Sequence, residues 1–475
     1  MKRVCAVILA TMLALCLFAC GGTGDIAGKG EFLGLKDGEE FTTDKEISIS
    51  FIRPRGNDAQ ETWWDTTVDA FNTEYAGRIK VSSEVLVRGD NSSYEQQIGL
   101  RVAEGLPDVM YMDGPYVSNW AYNGMIIPLD NYITETYLTD FMDYVLNQGT
   151  YNERLYALSI VDSTIMVFYR KSFMNAFLAT NPKFDADHSA ISLPTSPENA
   201  WTFNQLAEIA AKMTTNLEGN KKRYGLSITG DKTEWMSYAF SPMWNGKILG
   251  DDALTATGNL NSAKGLEAGN YLRNLRKNEA INPSASGTDF YDDGVKEGTT
   301  GSVCKAAMYF TGTQNITKFN EFTNIAEDWD ATYYPRNNDG SYSVPCGGWT
   351  LAMSKDCASG KRVAAVEFIK YLTSVQSCRS FASQTASPPA RKSLYDDMDE
   401  YKDGSVVQNG AYVRIKEQIF KAAAPRTKTV AYAEFSPLLA KALNEIVSDT
   451  NPNIQEKLNA AATTIDNKIR QANYK

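Results

Sequence analysis

The chain is almost without histidine. His188 is the only one in 475 residues. A histidine-dependent triad or a multi-histidine metal site has almost nothing to draw on. His188 itself falls in a polar stretch, residues 185–197, and reads as a solvated loop residue. Cysteine is scarce in the body of the chain. Of seven, Cys5, Cys16 and Cys20 lie in the first twenty residues. Cys304, Cys346, Cys357 and Cys378 have neither CxxC spacing nor histidine partners, so no zinc site is expected. Four cysteines allow three pairings and the sequence does not choose among them; isolated buried thiols are the simpler reading. Positive charge is in deficit, with a formal net charge of −10 and no basic run. That disfavours nucleic acid and anionic membrane surfaces as partners. Beyond the N-terminus no apolar stretch is long enough to span a bilayer, and no repeat of solenoid length is visible.

What is present begins at the N-terminus. Lys2 and Arg3 precede an uncharged, mostly apolar run over residues 4–19, which ends in Leu17-Phe18-Ala19-Cys20-Gly21. A short basic start, an apolar stretch and small residues form an export signal. The cysteine after the expected cut resembles a bacterial lipoprotein signal. That resemblance implies that Cys20 is acylated, becomes the first mature residue and ties an exported protein to the outer face of the cell membrane. Removing residues 1–19 takes away two cations and no acid, so the remainder is more acidic still. Residues 21–45, rich in Gly, Asp, Glu, Lys and Thr, read as a flexible tether.

Length fits two or three domains. With 43% hydrophobic and 22% charged residues the composition is that of a globular protein. Residues 47–52 alternate as a strand. A helix follows with Trp64, Val68, Phe71 and Tyr75 on one face, stopped by Gly77. Residues 79–87 read as a second strand, and this order suggests a parallel sheet with crossover helices. Farther on, Thr202 and Gln205 make a capping box, with Trp201 placed as a hydrophobic staple. A further helix is expected near 360–375. Two C-terminal helices are expected, one capped by Ser436 with Pro437 at its first position, the other opening at Asn451-Pro452.

Six segments in order carry a wider resemblance. They are Glu104-Gly105-Leu106-Pro107-Asp108 through Asp113 with Pro128-Leu129-Asp130; residues 151–170, ending in Phe168-Tyr169-Arg170; residues 197–206; Lys305 through Gly312; residues 345–353, with Gly347-Gly348-Trp349; and Ala386-Ser387-Pro388-Pro389-Ala390-Arg391. Together they resemble the extracellular solute-binding lipoproteins that feed sugar ABC importers, the family of maltose-binding protein. Two features depart from it. Leu155-Tyr156-Ala157-Leu158-Ser159 lacks the family's glycine and proline, and residues 176–200 add a loop.

The resemblance implies an α/β, two-lobed periplasmic-binding-protein-like (type II) fold with a ligand cleft between lobes and several hinge crossovers. It places lobe one at residues 46–161 and 348–383, and lobe two at 162–347 and 384–475. It further implies a carbohydrate ligand, ABC permease subunits as partners and no catalysis; the chain is expected to be a monomer without cofactor. Aromatic rings cover the C–H faces of sugars, and charged side chains bond their hydroxyls. On matching positions the expected ligand residues are Trp63, Asp113, Asp162, Trp235, Tyr309, Phe310, Trp349 and Arg391, while Trp64, Trp120, Trp201 and Trp329 read as structural. Asp113 stands at a strand end, where open α/β sheets bind ligands. An extracellular glycoside hydrolase, with two paired carboxylates, and a binding protein for a peptide or another non-sugar solute are the alternatives. A structural lipoprotein would show repeats or low-complexity stalks, which are absent.

Overall fold

The computed structural model describes residues 31–87, 94–217, 222–228, 235–245, 247–282, 290, 305–321, 326–402, 409–449 and 451–474. Cys20, Cys304 and the expected signal lie outside the described residues. The chain divides into two units, Met1–Phe32 and Leu33–Lys475. All the elements of the fold belong to the second. The N-terminal part of that unit is not a free tether. The Leu33 amide donates to the Asn131 carbonyl at 2.7 Å, Gly34 lies against the Tyr132 carbonyl, and Phe41 is buried.

One sheet begins with β1 (Ile47–Pro54), whose alternating pattern buries Ile49 and Phe51. Asn57 then caps α1 (Asp58–Glu74) through a capping box with Gln60. Trp63, Trp64, Val68 and Phe71 form its buried face. Each such side chain contributes about 1.5–3 kcal/mol by leaving water. Gly77, at φ +75°, takes the left-handed turn before β2 (Ile79–Leu86), which returns parallel to β1. β3 (Val109–Asp113) lies on the other side of β1, also parallel. The two-residue β4 (Ile126–Ile127), β5 (Ala157–Ser159) and a strand from far along the chain, residues 349–354, complete the sheet. That distant strand is antiparallel to β3, β4 and β5.

The second sheet has the order β10–β6–β9–β8–β7. Its members are β6 (Ile165–Arg170), β7 (Thr215–Asn216), β8 (Lys222–Ile228), β9 (Ala306–Gly312) and β10 (Trp329–Thr332). β8 and β9 are parallel, whereas β6 is antiparallel to both β9 and β10. The expected Thr202–Gln205 box caps α2 (Phe203–Met213). Phe203 packs against Phe240, Tyr271, Phe310 and Tyr334, at the centre of this second core. α3 (Trp235–Phe240) and α4 (Ala263–Lys277) cover the same side.

The chain crosses between the sheets repeatedly. Residues 160–164 lead from β5 to β6. β11 (Val344–Cys346) leads back into β12 (Trp349–Ser354), the distant strand named above. α5 (Arg362–Leu372) and α6 (Val375–Thr385) then pack on the first sheet's helix α1. The next segment runs beside the first pass: the Asp162 amide donates to Pro388 O at 2.8 Å, and Val161 bridges Pro389. α7 (Asn409–Ala422) packs on β10, and β13 (Ala423–Pro425) pairs with β11. The last helices are α8 (Tyr432–Ser448) and α9 (Ile454–Ala472).

Two expectations about this region divide. α9 buries Ile454, Leu458, Ile465 and Ile469 as its periodicity predicts. Ser436 and Pro437 do not open α8, because that helix starts at Tyr432 and holds Pro437 inside it. The Ser436 side chain is buried and bonded to the Ser237 hydroxyl at 2.8 Å, so it is not free to cap. Among the described residues no helix is long and apolar enough to cross a membrane.

Candidate functional site at the crossing of the chain passes

β3 ends on Asp113, and β12 begins on Trp349; the two residues are register partners in adjacent strands. Trp349 follows Gly347 and Gly348, and both glycines lie at close approaches. A Cβ on Gly347 would meet Arg426 Nε and Gln148 Oε1 at 2.9 Å each. One on Gly348 would meet the Asp162 Cα and the Val161 carbonyl at 3.1 Å. The passes 160–164 and 345–348 are thereby drawn together. The Ser163 hydroxyl donates to Gly347 O at 2.7 Å, and the Gly114 amide to Gly348 O at 2.9 Å.

Trp349 is half-buried. Its ring is held by Tyr94 and Tyr111, with centroids at 5.4 and 5.5 Å, and Tyr111 in turn packs on Trp64. One indole is thus fixed by a strand residue and a helix residue of the first core while part of its surface stays open.

Arg426, just after β13, reaches the end of β3 and donates through both terminal nitrogens to the Asp113 carboxylate. Its guanidinium also lies over the Tyr238 ring, 5.0 Å from the centroid. Burial would pull Arg426 down, but the Asp113 charge and its hydrogen bonds hold it well above the usual arginine value. The Tyr238 hydroxyl sits within 3.2 Å of the Ser163 and Pro345 carbonyls, tying α3 to both passes. Arg426 also borders a recess of about 250 Å³, lined by Ser241, Pro242, Ser343, Pro345 and Thr427 among others.

Asp162 lies in the first pass and is buried. Burial raises its pKa to about 7, and the Asp113 charge adds to the rise. The Ser163 and Gly347 amides and the Arg426 charge act in the opposite direction. Oδ1 accepts from the Ser163 amide at 2.6 Å, whereas Oδ2 has no hydrogen-bond partner among the described residues.

Of the expected ligand residues, Asp113, Asp162 and Trp349 come together here. Four do not. Trp63 is buried among Trp64 and Phe381, and its indole N–H donates to Ser380. Both neighbouring tryptophans therefore serve the first core. Tyr309 and Phe310 are buried in the second core, against Phe290 and Phe319 and against Phe240 and Tyr334 respectively. Arg391 is buried over Tyr137 and Phe141 and donates to Thr373 O at 2.8 Å, a structural anchor of α5 and α6. The Trp235 side chain lies outside the described residues. Arg426, Tyr238, Tyr94 and Tyr111 are the residues that sequence reasoning missed. Nothing local marks them; Pro425-Arg426 follows a short alanine run like many others.

The site offers a fixed, partly open indole and a charged donor–acceptor pair, and no histidine, since His188 is exposed in its loop. Among the described residues no cluster of three or more His, Cys, Asp or Glu could hold a metal. Cys346, Cys357 and Cys378 are buried free thiols.

Comparison with solved structures shows the same two-lobed α/β fold. An ABC transporter solute-binding protein from Thermotoga lettingae, bound with α-D-tagatose, is 18% identical over 89% of this chain and 99% of its own, with a TM-score of 0.67. A maltose/maltodextrin-binding domain from Bdellovibrio bacteriovorus, bound to maltotriose, is 18% identical over 89% and 100%, at 0.66. A cyclic α-maltosyl-1,6-maltose binding protein from Arthrobacter globiformis is 15% identical over 90% and 100%, at 0.68. The family model for the bacterial extracellular solute-binding proteins matches residues 66–408, and this chain belongs to that family.

Proposed function

We propose that this protein is the carbohydrate-binding receptor of an ABC importer, held on the outer face of the cell membrane by lipid on Cys20. The family is one of solute-binding proteins rather than enzymes. The observation that carries the sugar reading is the junction itself. A buttressed, half-open Trp349 stands beside the Asp113–Arg426 pair at the end of β3. An indole face covers the C–H side of a pyranose ring, and charged groups bond its hydroxyl rim. The relatives that bind tagatose, maltotriose and a cyclic maltosyl-maltose support the same ligand class.

In this reading lobe one comprises residues 46–161 and 348–383, and lobe two 162–347 and 384–475. Ligand contacts to both lobes favour the closed arrangement and so shift the population toward it. Permease subunits then take the ligand from the closed receptor, which acts as a monomer. The signal at residues 1–19 and Cys20 support export and anchoring, and more than one acyl chain makes such an anchor stable.

A thermal-shift screen with mono- and oligosaccharides tests the assignment. A ligand at 100 times its dissociation constant stabilises by about 2.7 kcal/mol. A shift with peptides and none with a broad sugar panel refutes the sugar assignment. Release of cleaved sugar products would refute the binding role.

A further inference from the structure

Asp162 occupies an unusual place. Its own pass, residues 160–164, is bonded on one side to 388–390 and on the other to 346–347. The Asp162 amide donates to Pro388 O, and the Ala390 amide donates to Ile160 O. Across the opposite side, Gly347 N donates to Ser163 O at 3.1 Å and Thr164 bridges Cys346. The Gly348 backbone closes over the carboxylate, since a Cβ there would stand 3.2 Å from Oδ1. Three passes between the lobes therefore meet around one acid whose buried Oδ2 has no hydrogen-bond partner among the described residues.

We propose that Asp162 is a proton-linked hinge residue, whose ionisation favours separation of the three passes and so shifts the balance between conformations of the two lobes. Burying an ionised carboxylate with an unmade hydrogen bond is costly, and the protonated form avoids that cost. Arg426, the cation that acts on Asp162 among the described residues, is bound through both terminal nitrogens to Asp113. The other groups that act on Asp162 are Tyr111 and Asp113 on β3, Tyr144 of the helix Asp143–Gln148, Tyr238 on α3, Cys346 on β11 and Tyr395 of the helix Leu394–Asp397. Burial keeps all four tyrosines and the thiol protonated through neutral pH. Burial raises the Asp162 carboxyl instead to about 7. Once ionised, it gains hydration only where the passes part.

The linkage has a definite sign. The folded value of about 7 stands above the unfolded aspartate value of about 3.9. The present conformation therefore binds more protons between those limits. Its advantage is complete below about pH 4 and is lost as pH rises through about 7.

The proposal rests on the two-lobed fold and needs no ligand, so the sugar screen can fail without touching it. Small-angle scattering of the ligand-free whole chain, from pH 5.5 to 8.5, is the test. The radius of gyration should rise from pH 5.5 to about 7 and level off above it, and Asp162→Asn should hold the low-pH value throughout. The same curve in both proteins overturns the proposal, even if the pH dependence of their melting temperatures differs, because Asp162 would then be only a buried acid. Should Asp162→Asn fail to fold, hydrogen exchange on the unaltered protein decides. After correction for intrinsic rate, protection at Ser163 and Gly347 should fall from pH 5.5 to about 7 and level off above it. Constant protection overturns the hinge role.

Discussion

Arg426 donates to both carboxylate oxygens of Asp113, joining the segment after β13 to the end of β3 across 313 residues of sequence. Neither side chain is more than about one-seventh exposed. The strand-end acid therefore already has a partner, which the family resemblance alone does not reveal. Its charge is already committed, and it presents Arg426 to the neighbouring recess.

Breaking the pair on one side should destabilise the protein more than removing both partners. Asp113→Ala leaves a buried guanidinium without its anion, a loss of about 3 kcal/mol. Asp113→Ala with Arg426→Ala should recover part of that loss. Urea denaturation of the two single variants and the double variant measures the coupling.

Two tryptophans that look alike in sequence should behave differently. Trp349→Ala removes the open indole of the site and should weaken sugar binding by ten-fold or more, or about 1.4 kcal/mol. Trp63→Ala empties a core position among Trp64 and Phe381. Its cost should be about 3–5 kcal/mol of stability, with affinity kept by the molecules that fold. Calorimetric titration beside thermal melts separates the two effects.

Gly347→Ala should be harmful although the change is small. The new methyl would sit 2.9 Å from both Arg426 Nε and Gln148 Oε1. Overpacking of this kind costs about 1–3 kcal/mol. Because Arg426 must shift, ligand affinity should fall as well. Gly360→Ala, which meets nothing within 4 Å, serves as the comparison; equal effects would remove the special role of Gly347.

Cys20→Ala should abolish lipid labelling and release the protein from the membrane fraction. Metabolic labelling with a fatty acid, followed by fractionation, checks this. Continued labelling in the variant would place the anchor elsewhere.

Local signals read well from the sequence because their causes are local. The Thr202–Gln205 box needs only a hydroxyl and an amide three residues apart, and it forms as expected. The faces of α1 and α9 follow from 3.6-residue periodicity. Ser436 shows the limit. A serine before a proline has the form of a helix start, but a long-range bond to Ser237 claims the serine, and the helix begins four residues earlier.

The candidate site was legible only where the chain's own order marks it. Asp113 ends a strand, Trp349 follows two glycines, and Asp162 sits in the first crossover. Trp63 misled because adjacent helix residues usually face different ways, whereas here Phe381 of α6 packs against both Trp63 and Trp64.

The sequence by itself determined an acidic α/β chain with a signal-like N-terminus and a resemblance to sugar receptors, because signal character, charge and hydrophobic period are properties of neighbouring residues. Tertiary structure alone decided which aromatics stay open, which acid is already paired and which is sealed at the junction. Those outcomes depend on residues hundreds of positions apart meeting at the crossings, and a linear pattern holds no distances.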